Sequence, residues 1–265
     1  MKKEKILVLG NGYVGSAFAE KGYTVVSRKD FEYNEKKDFH KLMRRYNPKC
    51  IINCIGRTNT RWCEESENFM EALYVNGNLP YELSGFCNYV GVKFVHMSTG
   101  CLYDRTDVSC IEDFFIAAHC NYTVTKWVGE KGCSEQDLII RPRLLFDSRN
   151  VENNLLVRLQ RFDKFSDVLD SLTSVHVLIS ATKALIDGEA SGIFNVACDG
   201  NMSMRDIGEI VLGHKVKTIE VNELRRRAAL YLVNNRMNLD KLRPYYSPPN
   251  LKDEIRQACF HMPRL

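Results

Sequence analysis

Apolar runs of four to six residues recur along the chain: Ile6–Leu9, Tyr23–Ser27, Cys50–Ile55, Lys93–Ser98, Leu138–Arg141 and Gly192–Ala197. Their apolar positions are largely consecutive, not alternating, which is the pattern of strands buried on both faces. Between most of them lie stretches with helical spacing, and Ser66–Tyr89 is long enough for one continuous helix. This alternation predicts an α/β fold with a doubly wound parallel sheet and helices on each side. After about Phe146 the pattern changes. Helices are predicted over Asn150–Phe162 and Ser203–Leu212, and Tyr245–Pro249 reads as a turn. The expected organisation is a nucleotide-binding domain over 1–146, rejoined by the late strand 192–197. The remainder of 147–265 is expected to form mainly a small substrate-binding lobe.

Composition narrows the function classes. With 265 residues, 45% apolar and 26% charged, the chain can bury a sizeable core, which excludes wholesale disorder. The longest uncharged run, Ile6–Ala19, has 14 residues, three of them Gly, and is too short and too polar to cross a bilayer. Met1-Lys2-Lys3-Glu4-Lys5 leads straight into the first strand without a small-residue cleavage site, so no secretion signal is expected. The formal charge of +4 is spread along the chain. Its one tight basic run, Arg225-Arg226-Arg227, follows Glu220 and Glu223 and reads as a solvated helix face, not a nucleic-acid patch. A mild positive excess suits a protein that handles phosphorylated small molecules. The ten cysteines include no CxxC pair, and Cys50, Cys54, Cys87 and Cys198 lie in apolar runs. That pattern points to a reducing, cytoplasmic setting, with no structural metal.

The first strand runs directly into Gly10-Asn11-Gly12-Tyr13-Val14-Gly15 and then a helical segment. This is G-x-G-x-x-G in the context it requires, between a strand and a helix. The first Gly permits a tight turn, the second lets backbone approach a pyrophosphate, and the third lets helix and strand pack closely. Gly10, Gly12, Tyr13, Val14 and Gly15 are thus the expected dinucleotide contacts, with the diphosphate on amides at the helix N-terminus. The second strand ends on Ser27-Arg28-Lys29-Asp30, where an NAD site would place its acid earlier. A guanidinium can pair bidentately with a 2′-phosphate, so NADPH is expected over NADH, with Ser27 and Arg28 as contacts. The alternative is that Arg28 and Lys29 solvate a loop while Asp30 bends back to a ribose.

The fourth run ends at Ser98-Thr99-Gly100-Cys101, and Tyr122-Thr123-Val124-Thr125-Lys126 follows downstream. On a helix, Tyr122 and Lys126 are i,i+4 neighbours on one face. A phenol with a pKa of about 10 is a poor acid at neutral pH. A nearby ammonium stabilises the phenolate and makes the phenol a usable proton donor. Thr99 stands at the carboxyl end of a parallel strand, where ligands bind in open α/β sheets, and can hold a substrate carbonyl oxygen.

These residues resemble the extended branch of the short-chain dehydrogenase/reductases. The closer likeness is to dTDP-4-dehydrorhamnose reductases and to the bifunctional UDP-4-keto-6-deoxyglucose 3,5-epimerase/4-reductases. The likeness is carried by Ile52-Asn53-Cys54-Ile55-Gly56-Arg57-Thr58, Trp62-Cys63-Glu64, Val75-Asn76-Gly77, Ser98 to Tyr103 and Tyr122 to Lys126. Arg141-Pro142-Arg143 and Asn238-Leu239-Asp240 are weaker echoes.

The resemblance implies a Rossmann-type fold and hydride transfer from NADPH to C4 of a nucleotide-linked 4-keto-6-deoxyhexose. Tyr122 would give the proton, and Lys126 would lower its pKa and hold the nicotinamide ribose. Thr99 would bond the reacting oxygen, Asn53 would belong to the cofactor site, and Asn76 would support the site from behind. Cys101 stands where the epimerase/reductases carry an acid/base cysteine. It therefore joins Thr99 and Arg158 as a substrate contact, with epimerisation at C3, C5 or both. The family's partner Lys is replaced here by Arg158, with Lys164 six residues on. A guanidinium stays protonated, so Arg158 could stabilise an enolate but not shuttle a proton. The expected partners are a sugar nucleotide and, as in relatives, a second copy in a homodimer; neither nucleic acid nor membrane is expected. The alternative is a non-catalytic NADP-binding regulatory subunit on the same fold. A 4,6-dehydratase would place an Asp-Glu pair where Gly100-Cys101 stands.

Overall fold

The structure is a computed structural model that describes residues 1–32, 36–228 and 233–262. The described residues divide into two compact units. The first comprises Met1–Ser98, Ala118–Ile140 and Ile186–Ile193, and the second Thr99–Ala117, Arg141–Leu185 and Phe194–Leu265. The segment Thr99–Ala117 thus goes with the second unit, whereas hydrophobic pattern alone assigns it to the first domain.

Six strands form the central sheet: β1 (Ile6–Leu9), β2 (Thr24–Val26), β3 (Cys50–Asn53), β4 (Lys93–Met97), β5 (Leu138–Pro142) and β6 (Gly192–Val196). Their order is β6-β5-β4-β3-β1-β2. β1 pairs in parallel with both β2 and β3, β3 with β4, and β4 with β5. Every residue of β1, β3 and β5 is buried, which is why these strands read as unbroken apolar runs. The chain leaves β1 toward one edge of the sheet and returns to its other side at β3. That reversal opens a crevice beyond the carboxyl ends of β1 and β3.

Four helices matter for the site: α1 (Tyr13–Glu20), α2 (Lys36–Tyr46), α3 (Leu79–Tyr89) and α4 (Asn121–Lys131). Leu7, Leu9, Ile51 and Phe94 of the sheet share a core with Phe39 and Leu42 of α2 and Leu79, Leu83 and Cys87 of α3.

The predicted helix over 66–89 is interrupted. Phe69–Leu73 is α-helical, Tyr74–Asn78 is a π turn, and α3 resumes at Leu79, whose amide bonds back to Tyr74. Pro80 explains the interruption. It has no N–H to give the Asn76 carbonyl four residues earlier, so the regular ladder cannot run through this point. The Asn76 carbonyl is instead met by Gly129 of α4, where a Cβ would lie 2.1 Å from that oxygen.

In the second unit, Tyr103 donates to Asn195 Oδ1 (2.9 Å) and accepts from Arg141, whose guanidinium also reaches the Glu112 carbonyl (2.8 Å). The helix predicted over 150–162 shortens to Leu155–Leu159. The buried Asn154 caps it by accepting from the Leu156 amide, and its amide group donates to the carbonyls of Asp147 and Arg149 (2.7 Å each). That network holds the preceding residues as a loop. The helix predicted over 203–212 runs Met204–Leu212, with Ser203 as its N-cap. In the basic run, Arg225 pairs with Asp104 at 3.2 Å, while the side chain of Arg227 lies outside the described residues.

Candidate active site

The glycine turn has the shape of a diphosphate cradle. Gly10 adopts φ +96°, and a Cβ on it would meet Ile55 and Cys54 at 3.0–3.1 Å. The turn therefore lies directly against the segment that follows β3. A Cβ on Gly15 would fall 1.8 Å from the Gly10 carbonyl oxygen, so the turn and α1 pack only without a side chain there. Gly12 is exposed and has nothing within 4 Å of its Cβ position. Bare backbone at the start of α1 thus faces open space, and the residues present fit a dinucleotide. Tyr13 and Val14 are half-buried beside it.

At the end of β2, the Asp30 carboxylate turns back on its own strand. Its Oδ2 accepts from the Ser27 amide (2.7 Å) and hydroxyl (3.1 Å). This leaves an exposed Arg28 at the tip of the turn. Asn53, fully buried at the end of β3, is held internally. Its Oδ1 accepts from the Ile55 amide (3.0 Å), and its Nδ2 lies 3.3 Å from His96 Nδ1 on β4. Burial, followed by the nearby Lys126 charge, keeps the His96 pKa well below its ordinary value.

The buried face of α4 includes Tyr122, Thr125, Lys126, Gly129 and Glu130. Offsets of 0, 3, 4, 7 and 8 define a single helical face. Such a face is normally apolar; here it carries three titratable groups. Lys126 is 2% exposed and its Nζ donates to the Met97 carbonyl at 2.6 Å. Burial pulls its pKa down to about 8, and Glu130 opposes that shift. Thr125 accepts from Asn76 Nδ2 (3.1 Å), which also donates to the Arg57 carbonyl (2.9 Å), while Asn76 Oδ1 accepts from the Arg57 amide (2.8 Å). Asn76 thus links the segment after β3 to α4. The N-terminus of α4 is fixed by Asn121, whose amide bonds Glu64 (2.7 Å) and whose side chain bonds the Cys63 carbonyl (3.1 Å).

Thr99 opens the second unit in extended conformation, and its Oγ1 accepts from the Cys101 amide at 3.1 Å. With its oxygen accepting, the hydroxyl keeps its hydrogen to donate. Sequence reasoning missed what lies beside Cys101. Arg143 Nη1 donates to Cys101 Sγ at 3.0 Å, and the same guanidinium grips Asp170 through Nε (3.0 Å) and Nη2 (2.6 Å). Burial opposes the Arg143 charge, but Asp170 and Cys101 more than offset it and raise its pKa. Arg158 is the exposed residue of the otherwise buried helix Leu155–Leu159. Arg143 and Asp170 are 27 residues apart. No periodicity links them, although the Arg-x-Arg segment itself was visible in the sequence.

A glycine cradle at the crevice of a parallel sheet, with a Tyr–Lys helix held to β4, defines a dinucleotide-binding α/β protein of the Rossmann type. The chain belongs to the family described as the RmlD substrate binding domain, which matches residues 4–233. It is 25% identical over 195 residues to a dTDP-4-keto-6-deoxy-D-glucose reductase of Streptomyces niveus, covering 70% of this chain and 67% of that protein. The fold superposes on a UDP-rhamnose synthase, L780, of Acanthamoeba polyphaga mimivirus with a TM-score of 0.84, at 19% identity and covering 97% and 99% of the two chains. A dTDP-4-dehydrorhamnose reductase of Bacillus anthracis str. Ames, solved in complex with NADP, gives 0.83 at 20% identity over 98% and 100%. Among the described residues, no helix is long and apolar enough to cross a membrane.

Proposed function

We propose that this protein is an NADPH-dependent reductase of C4 in a nucleotide-linked 4-keto-6-deoxyhexose, and that it also exchanges protons beside the ketone, giving an L-rhamnose-type sugar nucleotide. The observation that carries the reduction is the buried Lys126, held at the Met97 carbonyl one helical turn from Tyr122. The reductase from Streptomyces niveus and the NADP-bound Bacillus anthracis structure support the same reading.

When bound, NADPH supplies the hydride for C4. The backbone from Gly10 to Gly15 receives the diphosphate, and Arg28 receives the 2′-phosphate. Tyr122 gives its phenolic proton to the C4 oxygen, and the Lys126 ammonium stabilises the phenolate left behind. Thr99 donates its remaining hydrogen to the same oxygen. Asn76 keeps α4 and the segment after β3 in register. The deciding experiment is NADPH oxidation with UDP- and dTDP-linked 4-keto-6-deoxyglucose, with products identified by NMR. A regulatory subunit would bind NADPH and turn over neither substrate.

The cofactor preference has its own test. Removing a charge-assisted bond to phosphate costs ~1.5–3 kcal/mol. Arg28→Ala is expected to raise the Kd for NADPH about tenfold to a hundredfold and to leave NADH nearly unchanged. Equal losses for both cofactors would remove Arg28 from the 2′-phosphate site.

Proton exchange is assigned to Cys101, whose sulfur rests on the Arg143 guanidinium. A thiol titrates far closer to neutrality than an alcohol, so serine cannot replace it as an acid/base group. Cys101→Ser should stop solvent deuterium entering C3 or C5, while an already epimerised 4-keto sugar is still reduced. Exchange at the wild-type rate would make the cysteine a packing residue and the protein a plain 4-reductase.

A further inference from the structure

Glu130 lies one turn beyond Lys126 on the buried face of α4 and is 5% exposed. A carboxylate so deep needs partners that compensate for its lost hydration. One is the Ser98 hydroxyl, which donates to Oε1. Ser98 directly follows Met97, whose carbonyl accepts from Lys126. The last residue of β4 and the residue that follows it are therefore tied to two consecutive turns of α4. Gly129, between those turns, sets the depth of the helix by its close approach to the Asn76 carbonyl.

We propose that Glu130 is a positioning residue of the reduction site: it keeps Lys126 charged and pinned to the end of β4, so that Tyr122 can serve as the acid. This rests on the functional reading above. Four titratable groups besides Tyr122 face Lys126: Glu130 from α4, Cys133 just after it, Cys54 from the segment after β3, and His96 from β4. Burial pushes both thiols up, Cys54 to about 12, so they are uncharged near neutrality. His96 is neutral there as well. Glu130 is the acidic side chain of the group, and it counters the burial that draws Lys126 down to about 8.

The sign follows directly. Reduction requires the Lys126 ammonium, so activity is present below its pKa and lost as pH rises through it. Removing the Glu130 charge lowers that pKa further and moves the loss to lower pH. Glu130→Gln keeps a side chain that can bond Ser98 but has no charge. Its alkaline limb of kcat/KM is expected to shift down by about one pH unit, and the rate at pH 7.5 to fall about threefold. Ser98→Ala keeps the charge and removes the bond, and should leave the limb in place; Glu130→Asp should restore most of it. A wild-type limb in Glu130→Gln overturns the assignment. The Lys126 titration, followed by NMR in full-length protein labelled at lysine, tests the same shift without substrate. A downward shift there supports the Glu130 assignment even if no 4-keto sugar nucleotide is turned over, in which case the functional reading alone fails. An unmoved Lys126 titration overturns the assignment whatever the turnover.

Discussion

Tyr122→Phe is expected to lower NADPH-dependent reduction by ~10²-fold or more while leaving the fold intact. The ring is 8% exposed, and phenylalanine preserves its packing; only the proton donor is lost. Lys126→Met should reach a similar loss by another route. It removes the charge that stabilises the phenolate, and it also breaks the bond to Met97 that holds α4 to β4. The two variants should differ in binding. Tyr122→Phe keeps NADPH affinity near that of the wild type, whereas Lys126→Met loses affinity along with rate. Steady-state turnover paired with a fluorescence titration of NADPH separates these cases. A Tyr122→Phe enzyme with an undiminished rate would mean that another group protonates the C4 oxygen.

Asp170→Ala should give a large loss of stability. Asp170 and Arg143 are 1% and 3% exposed, and their bidentate bond is joined by Asn234 Nδ2 (3.0 Å) and the Asn235 amide (3.3 Å) on the carboxylate. Truncating the acid leaves a buried guanidinium without its counter-charge, which costs ~3–5 kcal/mol. Urea denaturation should show the midpoint falling accordingly. Arg143→Met combined with Asp170→Leu should recover much of the loss, because a buried ion pair contributes little net stability over apolar residues of similar volume. The double variant would also leave the Cys101 sulfur without its donor, so proton exchange should suffer where stability does not. An Asp170→Ala protein within about 1 kcal/mol of wild type would mean that water enters and solvates Arg143.

What could be read from the sequence follows from how local each signal is. β1, β3 and β5 were legible because burial on both faces leaves no polar alternation to confuse the pattern. The glycine turn was legible because each Gly answers a steric demand within six residues. The Tyr122–Lys126 pair was legible from helical spacing, and Glu130 falls on the same spacing one turn further on. Asn154 was not, since its cap and loop bonds depend on carbonyls at Asp147 and Arg149 that periodicity does not see. Pro80 falls inside the single helix that the spacing predicts over 66–89, and the chain accommodates it by one widened turn. The pairing of Arg143 with Asp170 is a tertiary fact with no local trace.

The widened turn at Tyr74–Asn78 also bears on which changes in length this region can absorb. A π turn holds one residue more than an α turn, so excising a single residue there would leave an uninterrupted helical ladder apart from Pro80. The cost would appear at Asn76. The residues of a widened turn sweep about the same angle as one residue fewer in an α turn, so the flanking turns would keep their facing while the residues at the cut changed theirs. Asn76 would then leave Arg57 and Thr125, and its carbonyl would leave Gly129. Insertions and deletions in this helix are thus constrained by the direction in which one asparagine points more than by helix stability. A chain that gains a residue elsewhere in the helix must lose one nearby to keep Asn76 facing α4.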